Sequence, residues 1–323
     1  MNKVLIIQTA FIGDVILATP LIETIKVNYP NCQIDFLIKK GNEELVNNHP
    51  LISNVFLFDK TQKSHSLLDN IRKIRREKYD FVFNLQRFVS SGLIAGFSAG
   101  KKIIGFKKNP MSFLFDKRFE HQISNGQHEV DRNLSVIQAQ CKLLIRRPKL
   151  YPNKADFAKV DELAETPFIC IAPASVWKTK QAPIEKWIEI IRHAASEYRI
   201  YLVGASSDYA LCEEIIQKSK CTELDNLCGK LKLMETAALF SKAQHVFVND
   251  SGPLHIASAM NTPVTVLFCS TSPKFGFGPL SDKSEVIEVM NLACRPCGLH
   301  GKNTCHKGHF DCGNKLDLSK ISL

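Results

Sequence analysis

Short, continuous apolar runs alternate along this chain with stretches in which apolar residues recur at helical spacing. Residues 3–8 read as a buried strand and 9–14 as a tight loop. From 15 to 29, Ile16, Leu17, Leu21, Ile25 and Tyr29 keep a helical period. Further strands are predicted at 33–38, 54–58, 80–84 and 102–105, with helices at 43–48, 66–77 and 90–98 between them. Asn109-Pro110 opens an irregular stretch to about Gln127, and 128–144 reads as a helix. Residues 146–154, with Pro148 and Pro152, read as a linker. Beyond it, strands are predicted at 168–172, 199–203, 245–248 and 264–268, and helices at 184–197, 208–218, 233–242 and 253–260. Strands that alternate with helices in this way imply parallel sheets. No internal repeat or low-complexity tract breaks the pattern.

Length turns one such sheet into two. At 323 residues the chain exceeds a usual single core. The predicted domains are 1–153 and 154–323, the second closing in a cysteine-rich tail from about 291. No apolar run approaches the 18 to 20 residues of a membrane span, so a bilayer-crossing protein is not expected. The first twenty residues carry Lys3, an apolar stretch and Ala18-Thr19-Pro20, as a signal peptide would. Gln8 and Asp14 interrupt the apolar region, and a strand, loop and helix use these residues better. A cytoplasmic location is expected.

Charge is unevenly divided. Residues 1–153 hold 23 Lys and Arg against 13 Asp and Glu, whereas 154–323 hold 19 of each. All the excess positive charge therefore lies in the first half, in pairs such as Arg72-Lys73, Arg75-Arg76, Lys101-Lys102 and Lys107-Lys108. An anionic partner suits that half. The pairs form no single stripe, and no helix-turn-helix, RRM, KH or zinc-finger pattern accompanies them, so nucleic acid is not the expected partner.

Two segments carry chemistry. The strand at 245–248 runs into Asn249-Asp250 and a Ser251-Gly252 turn. Pro253 then suits the first position of a helix, where its missing N–H costs nothing. His255 falls in the first helical turn. Backbone N–H groups at Ser251 and Gly252, the positive end of the helix and one imidazole together make an anion site; a plain capped strand–turn–helix uses the same residues. At the N-terminus, Thr9-Ala10-Phe11-Ile12-Gly13-Asp14 has one glycine, not the G-x-G-x-x-G of a dinucleotide site. It places the Asp14 carboxylate at the carboxyl end of the sheet, where α/β proteins bind ligands. Taken alone, Asp14 reads first as a helix cap.

Together these segments resemble the heptosyltransferases of lipopolysaccharide core synthesis, a family of GT-B glycosyltransferases. The likeness rests on Ile12-Gly13-Asp14 with Thr19-Pro20, on Asn249 to His255, and on Pro263-Val264-Thr265-Val266-Leu267-Phe268. It runs in order from residue 1 to about 320. The resemblance implies an α/β protein of GT-B type, two Rossmann-like domains with parallel sheets facing across a cleft. It implies inverting transfer of L-glycero-D-manno-heptose from ADP-heptose to the lipopolysaccharide inner core. The acceptor would be of Kdo-lipid A type, bound by the basic first half at the anionic inner face of the cytoplasmic membrane. Alternatives are a transferase of the same fold acting on another surface glycan, or a non-catalytic homologue that binds ADP-sugar.

The same resemblance implies roles. Asp14 would be the catalytic base. Lys180, in Ser175-Val176-Trp177-Lys178-Thr179-Lys180-Gln181-Ala182-Pro183, would meet the donor diphosphate, with Ser175 as a second contact and Lys178 as the alternative lysine. Asp208 would accept from ribose hydroxyls, or equally cap the following helix; Gly229 would lie near the nucleobase, with Leu231 and Met234 either lining the adenine pocket or packing in the core. Asp250, Ser251, Gly252 and His255 complete the donor site. No Asp-x-Asp occurs, so a mechanism without a catalytic metal is expected. A carboxylate at a helix N-terminus is stabilised as an anion, which would weaken Asp14 as a base unless desolvation on domain closure offsets it. Acceptor choice is expected in loops 86–92 and 106–128.

Of eleven cysteines, four cluster as Cys294, Cys297, Cys305 and Cys312, with His300, His306 and His309 interleaved. The spacing suits either a structural zinc site or reduced thiols packed in a tail. Disulfides are disfavoured in the cytoplasm. The other seven read mostly as small core residues.

Overall fold

The structure, a computed structural model, describes residues 1–123, 125–319 and 321. The chain forms two units, Met1–Tyr151 and Pro152–Leu323.

In the first unit β1 (Lys3–Gln8), α1 (Ile12–Ile16), α2 (Thr19–Asn28), β2 (Gln33–Lys39), β3 (Asn54–Phe58), α3 (Lys63–Arg76), β4 (Phe81–Asn84), α4 (Val89–Gly96), β5 (Lys102–Phe106), β6 (Lys117–Phe119) and α5 (Glu129–Ser135) follow in order. The sheet runs β3-β2-β1-β4-β5-β6, every neighbouring pair parallel. Val4 to Ile7 are fully buried, which explains the unbroken apolar run: a central parallel strand is covered on both faces. The order reverses between β1 and β4, so the carboxyl end of β1 lies at a switch point, where open parallel sheets bind ligands.

The single helix predicted over 15–29 is two. Pro20 has no N–H for the Ile16 carbonyl, and the Thr19 hydroxyl donates to that carbonyl instead at 2.8 Å. The helix predicted at 43–48 is one 3₁₀ turn, Glu43–Leu45, and the one predicted over 128–144 ends as α5 at Ser135.

The second unit begins with α6 (Lys154–Val160), partly inside the predicted linker. Its cap is reciprocal: Asn153 Oδ1 accepts from the N–H groups of Ala155 and Asp156, and Asp156 Oδ2 accepts from Asn153 N at 2.7 Å. Then come β7 (Phe168–Ala172), α7 (Ile184–Ala194), β8 (Arg199–Leu202), α8 (Tyr209–Ser219), β9 (Leu224–Asn226), α9 (Leu233–Lys242), β10 (His245–Asn249), α10 (Gly252–Met260), β11 (Val264–Phe268), β12 (Ser284–Glu288) and α11 (Asp311–Asn314). The order is β12-β11-β10-β7-β8-β9, again all parallel. Trp187 of α7 is fully buried against this sheet, packed in one cluster with Ile169, Ile171, Phe247 and Leu267. Its indole N–H donates to the Ala182 carbonyl at 3.2 Å. Here the switch point lies between β7 and β10. The loops leaving those two strands, 173–183 and 250–252, therefore meet at one end of the sheet.

Candidate active site

Asp14 is the third residue of α1, and its Oδ2 accepts from Phe11 N at 3.3 Å. The cap role is therefore real, yet it does not lower the carboxyl. Burial, reinforced by the Glu129 charge, outweighs the Phe11 N–H and the Lys108 ammonium and raises Asp14 to about 6. The depression expected from the helix end is overcome within this unit.

Glu129 is buried, with Oε1 3.1 Å from His121 Nε2 and Oε2 accepting from Arg132 Nε at 2.7 Å. Burial pushes its carboxyl up, but the His121 hydrogen bond and the charges of His121, Lys108 and Arg132 prevail and hold it at about 2. Lys108 lies over the Phe106 ring, 4.9 Å from its centroid. Burial lowers Lys108 to about 8, against the pull of Glu129 and Asp14. Sequence reading grouped Lys108 with Lys107 as one basic pair. The structure separates them, because Lys107 turns to Glu120. Lys73, Lys101 and Lys102 are likewise engaged, with Asp69, Asp80 and Asp116. The two loops expected to choose the acceptor are tied together: Asn109 Nδ2 donates to the carbonyls of Gln86 at 2.8 Å and Phe88 at 3.0 Å.

In the second unit Ser251 stands at the N-cap position of α10 without a side-chain capping bond, Pro253 falls in its first turn, and His255 is buried one turn in. Lys180 Nζ lies 2.7 Å from Asp250 Oδ2, and the same oxygen accepts from Thr271 Oγ1 at 2.6 Å. Lys180 reaches the β10–α10 turn, whereas Lys178 is exposed. Ser175 sits on the same loop, its carbonyl accepting from Gln181 Nε2 at 2.7 Å.

Sequence reading quoted Asn249 without giving it a task. It is the clamp between the two switch-point loops, its Oδ1 accepting from Ala182 N at 2.9 Å and its Nδ2 donating to the Pro173 carbonyl at 2.6 Å. Both bonds are buried. Asn249→Ala should cost roughly 2–4 kcal/mol by leaving two backbone groups unpaired, read as a lower urea midpoint at unchanged m. An unshifted midpoint would contradict the clamp.

Asp208 ends the turn after β8. Its Oδ2 accepts from Ala205 N at 2.8 Å, and the Ser207 hydroxyl lies 3.2 Å from Oδ1, so it caps its own loop. Gly229 has φ +75°, and a Cβ there would stand 2.8 Å from Ser206 Cβ. A bare backbone brings the β9 loop onto the β8 loop. Met234 is buried.

In the tail the thiols of Cys294, Cys297, Cys305 and Cys312 lie within electrostatic range of one another. Cys312 is drawn into the hydrophobic core, Cys297 donates to the Cys294 carbonyl at 3.2 Å, and Cys294 Sγ faces His309 Nε2 at 3.8 Å. Among the described residues, no three His, Cys, Asp or Glu side chains converge as a metal set. Of the other seven cysteines, six are buried and Cys221 is partly so.

The sequence model of glycosyltransferase family 9 (heptosyltransferase) matches residues 68–307. The chain is similar to lipopolysaccharide heptosyltransferase 3 of Escherichia coli K12, 27% identical over 290 residues and covering 81% of each protein. Its fold is similar to a glycosyltransferase family 9 structure from Veillonella parvula, with TM-score 0.82 and 19% identity over 90% of this chain and 86% of that one. It is also similar to the E. coli ADP-heptose LPS heptosyltransferase II, with TM-score 0.76 and 21% identity over 90% and 91%.

Proposed function

Since this chain belongs to glycosyltransferase family 9, the heptosyltransferases, we propose that it moves a heptose from ADP-heptose to the inner core of lipopolysaccharide, inverting the anomeric centre. The observation that carries this reading is the Lys180–Asp250 ion pair beside the N-terminus of α10. There a cation, backbone N–H groups and an imidazole stand together, as a departing diphosphate requires. The names of the relatives supply heptose and lipopolysaccharide, and that of the E. coli enzyme supplies ADP.

Asp14 takes the proton of the acceptor hydroxyl as its oxygen bonds to the anomeric carbon. The bond from that carbon to the diphosphate breaks, and ADP leaves with the electron pair. Lys180, His255 and the N–H groups of Ser251 and Gly252 take up the charge on the diphosphate. Asp250 holds Lys180 in place and shares it with the incoming phosphates. Ser175 is a further phosphate contact, Asp208 takes ribose hydroxyls, and the turn at Gly229 lies beside the nucleobase. The absence of any Asp-x-Asp supports catalysis without a metal–diphosphate bridge. The positive first half supports an acceptor with phosphates and carboxylates at the inner membrane face; among the described residues no helix is long and apolar enough to cross a membrane.

Purified protein given ADP-heptose and a set of truncated core acceptors, with EDTA throughout, should add one heptose mass to one of them. No gain on any acceptor while ADP still binds would move the reading to another donor sugar or to a non-catalytic role. A pH profile gives a second test. Asp14 is a base only when ionised, and its carboxyl is raised to about 6, so kcat/KM should climb with pH up to about 6 and then level off. A limb centred near 4, the ordinary carboxylate range, would show that another group takes the proton.

A further inference from the structure

The turn that carries Lys180 is held from beneath by the cysteine-bearing tail. Arg295 fastens the start of the tail: its guanidinium donates to the carbonyls of Cys269 at 2.5 Å and Val289 at 3.3 Å, and to the Glu288 carboxylate at 2.6 Å. Cys297 N then donates to the Ser270 carbonyl at 2.8 Å. Ser270 in turn meets Thr179, the buried residue between Lys178 and Lys180. Ser270 N donates to the Thr179 carbonyl at 3.2 Å, and the two hydroxyls lie 3.0 Å apart. The tail returns at Lys302, whose N–H donates to Thr179 Oγ1 at 2.7 Å and whose carbonyl accepts from Thr179 N at 2.9 Å. Every polar group of Thr179 is thereby engaged.

Gly301 completes the contact. A Cβ there would stand 2.5 Å from Trp177 Cβ and 2.7 Å from Lys180 Cγ. The backbone of the tail therefore lies directly against the stem of the lysine, leaving no room for a side chain. The next residue after Ser270, Thr271, donates to Asp250, the partner of Lys180. The segment after β11 thus contacts Asp250 directly and Lys180 through its neighbour Thr179, and the tail packs against the lysine stem.

We propose that residues 295–302 are a wall of the donor site, and that Thr179 and Gly301 are positioning residues that set where the Lys180 ammonium meets the nucleotide diphosphate. The proposal rests on the reading of this site as a nucleotide-diphosphate site. It gives the tail a task that its cysteine spacing does not suggest. What matters is the backbone between Cys297 and Lys302, and the cysteines frame it.

The test is ADP titration by calorimetry on the full chain, with thermal melts alongside. The variants are Thr179→Val, Thr179→Ser and Gly301→Ala. Thr179→Val keeps the shape and removes the hydroxyl that Lys302 N–H and Ser270 share. It should weaken ADP about tenfold, the scale of one loosened hydrogen bond to a charged group. Thr179→Ser should restore most of that loss. Gly301→Ala should weaken ADP to a similar degree by displacing Lys180 and Trp177, and should change the emission of Trp177, which is 38% exposed whereas Trp187 is buried. In transfer assays the donor KM should rise while the acceptor KM stays put, a split that general loss of stability does not produce. Should Thr179→Val fail to fold, Gly301→Ala still decides. A folded Thr179→Val or Gly301→Ala that binds ADP as tightly as the parent chain would overturn the proposal. A parent chain that binds no ADP would overturn the nucleotide reading itself, and the proposal with it.

Discussion

Asp14→Asn is expected to lower turnover by roughly 10²- to 10⁴-fold, the range for losing a general base, while ADP binding stays unchanged. The amide keeps an oxygen for the Phe11 N–H that Asp14 now accepts, so the cap survives and only the proton acceptor is lost. The same variant should be more stable than the parent above pH 6. The folded carboxyl is raised to about 6 by burial and Glu129, so its ionised form is disfavoured in the folded chain. That penalty is absent below about pH 4 and complete above about pH 6. A shift of this size is on the order of 1–3 kcal/mol. Melting curves at pH 4 and pH 8 should therefore diverge, with Asp14→Asn gaining a few degrees at pH 8 and nothing at pH 4. Equal melting at both pH values, or turnover near the parent's, would leave Asp14 as a cap and nothing more.

The second large effect is at Lys180. Lys180→Ala should reduce kcat by roughly 10²- to 10³-fold, as for removal of a group that stabilises developing charge, and should weaken ADP as well. Lys178→Ala should do much less, because that side chain is exposed. Arginine is no substitute at 180: its planar fork cannot take the place of a compact ammonium 2.7 Å from Asp250 Oδ2. Lys180→Ala also strands the Asp250 carboxylate, so part of its cost is structural. The double variant Lys180→Ala with Asp250→Asn separates the two contributions. It should recover much of the lost thermal stability and none of the lost turnover. Recovery of turnover would mean that the lysine acts only by neutralising Asp250.

The central strands were legible because burial on both faces leaves an unbroken apolar signature, as in Val4 to Ile7 and Val246 to Val248. The edges were not. β9 is Leu-Asp-Asn, β12 carries two glutamates, and β6 is Lys-Arg-Phe. A short strand exposed along one side needs little apolar content, so no period marks it. The break between α1 and α2 could have been read from Thr19-Pro20, since proline cannot serve the carbonyl four residues back. The reciprocal cap of α6, Asn153 with Asp156, was equally readable.

At the site, residues adjacent in sequence were legible and their partners were not. Ser251, Gly252, Pro253 and His255 form their turn from local chemistry alone. The pairing of Lys180 with Asp250, the clamp of Asn249 on Ala182 and Pro173, and the hold of His121 and Arg132 on Glu129 all depend on which loops the strand order brings together. Spacing along the chain does not carry that information. For the same reason the intervals of the tail cysteines did not show that Cys312 packs into the core.

Strand order also has a consequence for how the chain acquires its shape. In each unit the first strand made, β1 or β7, ends as an inner strand with neighbours on both sides. The sheet is laid outward from it, first in one direction and then in the other. None of the pairings among the described residues is a hairpin, so each ladder waits for a complete crossover before it can close. Such non-local closure is slow and leaves strand edges open in the interval. The first unit has all six of its strands by Phe119, well before β7 is synthesised. On the ribosome it can finish its sheet alone, with no second set of open edges nearby. Refolding from denaturant removes that order and exposes both sets of edges at once. Recovery should therefore fall as protein concentration rises.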